Sequence, residues 1–225
     1  MDIHNAIPFA CRFVICNMTN IQFCNVYDYA MLLPLEKQVE RERYNKMFYV
    51  SDIKEKAPNS YKTPLQEMVY ETLTKLEISF ERVETDEAIS MEDCIEINKK
   101  LNMNMVKTLF LCNSQKNKFY LFVTTAEKPF KSKDFSKVLN ISRVSFAPQE
   151  LMQNILGVKI GAATVFGVLN DKENLVEIVL DQDVLLEEWY GCSDGTTTGY
   201  MKVKTEWIVT KFLPYTKHMP NVIKI

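Results

Sequence analysis

Histidine is nearly absent from this chain: of 225 residues only His4 and His218 carry an imidazole. A Cys-His or Ser-His nucleophilic pair would have to recruit one of the two chain ends, so classical histidine-assisted covalent catalysis is hard to build. The six cysteines, at 11, 16, 24, 94, 112 and 192, form no CxxC pair, and none has a histidine nearby. That spacing disfavours both a zinc site and a disulfide framework and points to reduced thiols with a packing role. An excess of one charge is lacking too, with 27 Lys+Arg against 29 Asp+Glu and a formal charge of -2. No global basic field advertises nucleic acid, and any RNA contact has to be local. A long hydrophobic run is also missing. The apolar stretch from Ala6 to Cys16 is broken by Arg12 and preceded by Asp2, which makes it a poor signal peptide and too short a membrane span. The expected location is the cytoplasm.

What is present is an ordinary soluble composition, 47% hydrophobic and 25% charged. Residues 1–58 differ from the rest: they hold three of the six cysteines and a charged patch from Glu36 to Arg43. They read as an appendage, helical around Leu32 to Met47, ending at the breaker cluster Lys56-Ala57-Pro58-Asn59-Ser60. Residues 59–225 read as the folded domain. Thr63-Pro64-Leu65-Gln66 is a capping box with proline at the first helical position, and Leu65, Met68, Val69, Leu73 and Leu76 follow at helical spacing. Ser79 to Val83 alternates as a strand, and Ser90-Met91-Glu92-Asp93 opens a helix to about Leu101.

Val106 to Cys112 and Lys118 to Thr124 predict a hairpin around a polar loop. A helix over Lys131 to Leu139, a short strand Arg143 to Phe146 and a helix Pro148 to Leu156 come next. Thr164 to Val168 and Leu175 to Leu180 then flank a polar turn as an expected second hairpin. A strand near Tyr200 to Val203 and a helix from Thr205 to about Leu213 close the chain. Hairpins interspersed with helices favour an α/β domain of mixed α+β type, with a mostly antiparallel mixed sheet and helices packed around it.

Four places could carry chemistry. Lys107 sits in the apolar run Met105 to Cys112, where a buried ammonium costs several kcal/mol unless an anion, a carbonyl or a ligand satisfies it (roughly, by transfer data). Either its stem is buried while its head reaches water, or it projects into a pocket beside Leu109 and Leu111 to hold a carbonyl-bearing or anionic ligand. The loop from Leu156 to Gly167 holds three of the six glycines. Small residues there leave peptide N–H groups unshielded for an oxyanion, although a helix C-cap leading into a strand is the commoner use. The polar loop from Tyr190 to Tyr200 could line a small pocket or simply face solvent. Lys128, Lys131, Lys133 and Lys137 surround two phenylalanines, as a solvated helix face or as a local phosphate-contact patch.

Taken together, Phe80-Glu81-Arg82-Val83, Ser90 to Cys94, Val106-Lys107-Thr108-Leu109-Phe110-Leu111-Cys112-Asn113, Lys128-Pro129-Phe130-Lys131, Leu139 to Arg143, Gly167 to Lys172 and Lys211-Phe212-Leu213-Pro214 resemble, in that order, the YbaK/ProX family of trans-editing aminoacyl-tRNA deacylases, most closely its prolyl-tRNA editing branch. The resemblance covers about residues 64–225 and leaves the first 58 unexplained. It implies a single YbaK/ProX-like domain with a curved sheet over 59–225. It also implies hydrolysis of the ester of alanine mischarged on proline tRNA, with no metal or other cofactor.

The family's signature active-site lysine corresponds to Lys107, and Gly161 opens the loop that offers backbone donors. Thr108, Ala162, Ala163, Thr164, Val165, Ser193 and Thr198 correspond to positions that shape the amino-acid pocket. Val165 stands where the family's loop has proline, and Thr108 where asparagine often follows the lysine. Ser193-Asp194 replaces a common His-Pro. In such enzymes the terminal ribose hydroxyl of the substrate helps activate water. The implied partners are the acylated 3′ end of a tRNA, with contacts from Lys128, Lys131 and Lys133, and a prolyl-tRNA synthetase; no membrane is implied. The alternative reading is a catalytically weak or inactive module of the same fold that binds an aminoacyl-tRNA or a synthetase.

Overall fold

A computed structural model of the protein describes residues 48–88 and 93–225. Phe48–Ile225 form one compact unit. The helix expected around Leu32 to Met47 and the opening residues Ser90 to Glu92 of the second helix lie outside the described residues. Among the described residues, no helix is long and apolar enough to cross a membrane.

Helix α1 (Pro64–Lys75) starts where its capping residues require. The Thr63 hydroxyl accepts the Gln66 N–H at 3.1 Å, Pro64 takes the first turn, and Leu65, Val69, Tyr70 and Leu73 form the buried face. Strand β1 (Phe80–Glu84), helix α2 (Cys94–Leu101), strands β2 (Val106–Asn113) and β3 (Phe119–Thr125), helix α3 (Ser132–Val138), strand β4 (Val144–Phe146) and helix α4 (Gln149–Leu156) follow in the expected order. The β2–β3 pair is the expected antiparallel hairpin.

The second expected hairpin does not form. Val165–Leu169 is a 3-10 turn capped by the Thr164 side chain, and the following strand, β5 (Val176–Asp181), pairs in parallel with β3 instead. Val165, Phe166 and Val168 are all buried, and a short run buried on every side has no periodicity with which to tell turn from strand. Asp171 fixes the redirection: its carboxylate accepts the Leu175 and Val176 N–H groups at 2.9 and 2.7 Å. Two strands emerge that composition did not mark. One is β6 (Trp189–Ser193), which absorbs the start of the expected polar loop. It is followed by β7 (Gly199–Lys204), and the other unmarked strand, β8 (Asn221–Ile223), comes last. Between β7 and β8 lies the last helix, α5, which runs Thr205–Trp207, widens to a π turn over Ile208–Phe212 and returns to α over Leu213–Tyr215.

The strands form a three-stranded antiparallel sheet, β1-β7-β6, and a five-stranded mixed sheet, β4-β2-β3-β5-β8. A single backbone bridge, Met105 to Gly191, joins β2 to β6. The five-stranded sheet is covered on both faces. Phe110, Leu121, Val123, Ile178 and Leu180 pack with α1, the 3-10 turn and α5, while Leu111, Tyr120, Phe122 and Val179 pack on Phe135 of α3. Helix α2 covers the outer face of the smaller sheet through Ile97 and Leu101 against Val83 and Tyr200.

Residues 48–58, which composition placed with the appendage, lie in the compact unit because Val50 and Lys54 bridge to Thr85 and Arg82. Arg82 and Lys54 both reach the Glu84 carboxylate, at 2.8 and 2.9 Å, and hold its pKa down to about 2. A carboxyl that titrates lower when folded adds stability above its ordinary value of 4.5 and loses it as pH falls toward 2. Glu84→Gln should therefore lose less stability than the parent between pH 4.5 and 2, as read from urea midpoints at the two pH values.

Candidate active site

Strand β2 has an incompletely paired outer edge. Strand β4 pairs with it only from Leu111 to Asn113, and Met105 is held by the Gly191 bridge, so among the described residues the stretch between has no strand beside it. A cavity of about 400 Å³ occupies that gap. Lys107, Thr108 and Leu109 form one wall, Gly161 and Ala163 the opposite one, and Cys192, Ser193 and Tyr200 the floor, with Phe146 and Ile160 exposed at the mouth.

Alternation along β2 separates the two key neighbours. Lys107 shares the α3 side of the sheet with Leu109 and Leu111, whereas Thr108 shares the other side with Val106 and Phe110. The Lys107 ammonium reaches the turn after β3, where it donates to the Ala126 carbonyl at 3.0 Å and to the Lys128 carbonyl. The desolvation problem posed by the sequence is thus met by two backbone oxygens. Burial lowers the Lys107 pKa, and an ammonium with three N–H donors keeps one beyond those two carbonyls. The Phe110 carbonyl accepts the Ala147 N–H across the outer edge, at 2.9 Å. With the two-residue repeat of a strand, the N–H and C=O of Thr108 turn to the same side, into the gap.

The opposite wall is the turn after α4. Gly157 ends that helix in the left-handed region at φ 70°, and Gly161 adopts φ 87°, which a side chain would strain. The Ala162 N–H is engaged by the Lys159 carbonyl at 3.1 Å. Among the described residues, the Gly161 and Ala163 N–H groups have no acceptor. Two peptide donors carried by residues as small as glycine and alanine can stabilise an oxyanion.

The other residues marked from sequence fall into three groups. Ala162, Thr164 and Val165 are buried behind the glycine wall, where they set its position. Ser193 lines the cavity, but its hydroxyl donates to the Thr196 carbonyl at 2.9 Å and accepts the Gly195 N–H. Thr198 lies outside this cavity and accepts a hydrogen bond from Lys62 at 2.6 Å. Lys128 is ion-paired with Asp181 and Asp183, both at 2.8 Å, while Lys131 and Lys133 are exposed at the start of α3.

Burial pushes the Cys192 thiol up, so it is a poor nucleophile near neutral pH. His218 lies elsewhere, its ring held between the Thr216 carbonyl and the Asp171 carboxylate. One important side chain went unmarked as such: Asp194 is 1% exposed and accepts from Gln66 at 2.7 Å, Tyr70 at 3.0 Å and the Thr196 hydroxyl at 2.8 Å. It ties the β6–β7 loop to α1. The only signal in sequence was an Asp-Gly pair, which reads as a turn.

The family model described as the aminoacyl-tRNA editing domain matches residues 85–210. The chain is 28% identical over 120 residues to the prolyl-tRNA editing protein ProX of Acetoanaerobium sticklandii, covering 53% of this chain and 73% of that relative. It is 24% identical over 161 residues to prolyl-tRNA synthetase associated domain-containing protein 1 of Danio rerio, covering 71% and 86% of the two chains. A solved structure described as a candidate trans-editing enzyme for prolyl tRNA synthetase superposes with a TM-score of 0.54 at 14% identity, covering 73% of this chain and 99% of that one. The matched range spans more than half of the chain and includes every wall of the 400 Å³ cavity, and on that match the chain belongs to the aminoacyl-tRNA editing domain family.

Proposed function

We propose that this protein is a trans-editing deacylase of the cytoplasm that hydrolyses a mischarged small amino acid, alanine in the first instance, from tRNA(Pro). The observation that carries the reading is the cavity along the open edge of β2, with Lys107 on one wall and the Gly161 and Ala163 N–H groups on the other. Membership of the editing family and the resemblance to a prolyl-tRNA editing protein support the substrate class. In this reading the acylated ribose enters past Phe146 and Ile160. The ester carbonyl oxygen lies against the glycine wall, and the edge of Thr108 takes the amino group.

Water is the nucleophile in this reading: among the described residues no histidine lines the cavity, and burial holds the Cys192 thiol in its protonated form. Its oxygen bonds to the acyl carbon while the neighbouring ribose hydroxyl orients it. The ester C–O bond then breaks, and the ribose oxygen leaves with the proton that water gave up. Charge on the acyl oxygen is met by the Gly161 and Ala163 donors and by the remaining N–H of Lys107. A prolyl-tRNA synthetase is the proposed partner that produces the mischarged substrate.

Incubating the purified protein with alanyl-, cysteinyl- and seryl-tRNA(Pro) tests this directly. Release of alanine well above background is expected. Tight tRNA binding with no release of any of the three would instead favour a non-catalytic binding module.

A further inference from the structure

A second concavity, of about 750 Å³, backs onto the same β6–β7 connection. Adjacent residues at the start of β7 serve the two hollows: Gly199 lines the larger and Tyr200 the smaller. The larger one is walled by residues 53–60, by Lys62 and Gln66 at the start of α1, by Arg82 and Glu84 of β1 and by Thr198. Among the described residues, four cationic residues, Lys54, Lys56, Lys62 and Arg82, line it beside two carboxylates, Glu55 and Glu84. Glu84 is held by both Lys54 and Arg82. Among the described residues, neither Lys56 nor Lys62 pairs with a carboxylate, and the Lys62 ammonium rests on the Thr198 hydroxyl.

This is a local positive field on a chain whose formal charge is -2. Its backbone is held in place as well: Arg82 is 4% exposed and its Nε donates to the Lys56 carbonyl at 2.6 Å. All four cations precede residue 85, where the match to the editing family begins, so the cationic wall is built by residues outside the matched segment.

We propose that this second cavity binds a backbone phosphate of the RNA whose acylated end occupies the smaller one. The inference rests on the reading of the smaller cavity as an editing site. The two hollows share the β6–β7 connection, with Ser193 and Tyr200 lining the smaller and Thr198, Gly199 and Lys62 the larger, so an RNA held in the first has the second beside it in this reading. Lys56 and Lys62 supply mobile point charges suited to a phosphodiester, and the Thr198 hydroxyl offers a neutral donor beside them. The segment that composition marked as a linker thereby becomes part of the substrate surface.

Binding of deacylated tRNA to the full chain, measured by fluorescence anisotropy across a salt series, decides the matter. Lys56→Ala/Lys62→Ala should weaken binding about tenfold near 0.1 M salt and make the slope of log affinity against log salt shallower by about 1. Lys56→Arg/Lys62→Arg should restore most of the slope, because charge rather than shape is what the phosphate reads. Parent-like affinity and slope in the alanine variant would overturn the proposal, and so would an arginine variant that behaves like the alanine one. Alanyl-tRNA hydrolysis by the parent protein reports separately on the editing reading. If hydrolysis persists while the salt slope is unmoved, only the phosphate site falls.

Discussion

Replacing Lys107 with alanine should lower alanyl-tRNA(Pro) hydrolysis by about 100- to 1000-fold, the range seen when one preorganised donor to a developing oxyanion is removed. Two effects act together. The variant removes the ammonium whose third N–H the proposed mechanism assigns to the acyl oxygen, and it leaves the Ala126 and Lys128 carbonyls without the donor they share. Single-turnover rates measured alongside tRNA affinity separate the two: loss of a transition-state donor lowers the rate at saturating enzyme and leaves affinity near the parent's. Lys107→Arg should not rescue. A planar guanidinium cannot cap two converging carbonyls and also direct a donor along the third direction of a tetrahedral ammonium. Hydrolysis within a few-fold of the parent in the alanine variant would show that the lysine only supports the turn.

The largest effect on stability is expected at Phe166. Its ring is fully buried and meets Phe212 edge to face, with ring centroids 5.0 Å apart. Phe166→Ala should destabilise the fold by about 3–5 kcal/mol, the usual range for truncating a buried phenylalanine, as measured by equilibrium urea unfolding. The consequence reaches the site because Phe166 directly follows Val165 in the 3-10 turn, so the glycine wall is anchored to α5 through this pair. A loss below about 1 kcal/mol would mean that the surrounding side chains close the void, and that the wall is held by Thr164 and Val165 instead.

Sequence exposed those features that depend on neighbours in the chain. Thr63, Pro64 and Gln66 announce a helix start because the cap is made by residues three apart, and the cap is there. The β2–β3 hairpin was legible for the same reason. What was hidden depends on partners far along the chain. Thr164 to Val168 looks like a strand by composition, yet Val165–Leu169 is a 3-10 turn capped by Thr164, with Phe166 packed on the distant Phe212. The parallel pairing of β5 with β3 joins residues more than fifty positions apart, and no local signal encodes it.

The candidate site divides along the same line. Lys107 and Gly161 stood out as an ammonium in an apolar run and as a glycine in a glycine-poor chain. That the ammonium rests on the carbonyls of the following turn, and that Thr198 and Lys62 belong to a different hollow, follow from the sheet register and from residues 53–62 folding back over β1.

The oxygens that hold Lys107 belong to the backbone, and this has a consequence for how the site tolerates mutation. Every amino acid carries a main-chain carbonyl, so no replacement at Ala126 or Lys128 deletes either acceptor. The identity of Lys128 is fixed by a different demand, its ion pairs with Asp181 and Asp183. The orientation of Lys107 is thereby insulated from drift in the residues that touch it. Genetic variation can reach it only at position 107 itself or by changing the shape of the turn.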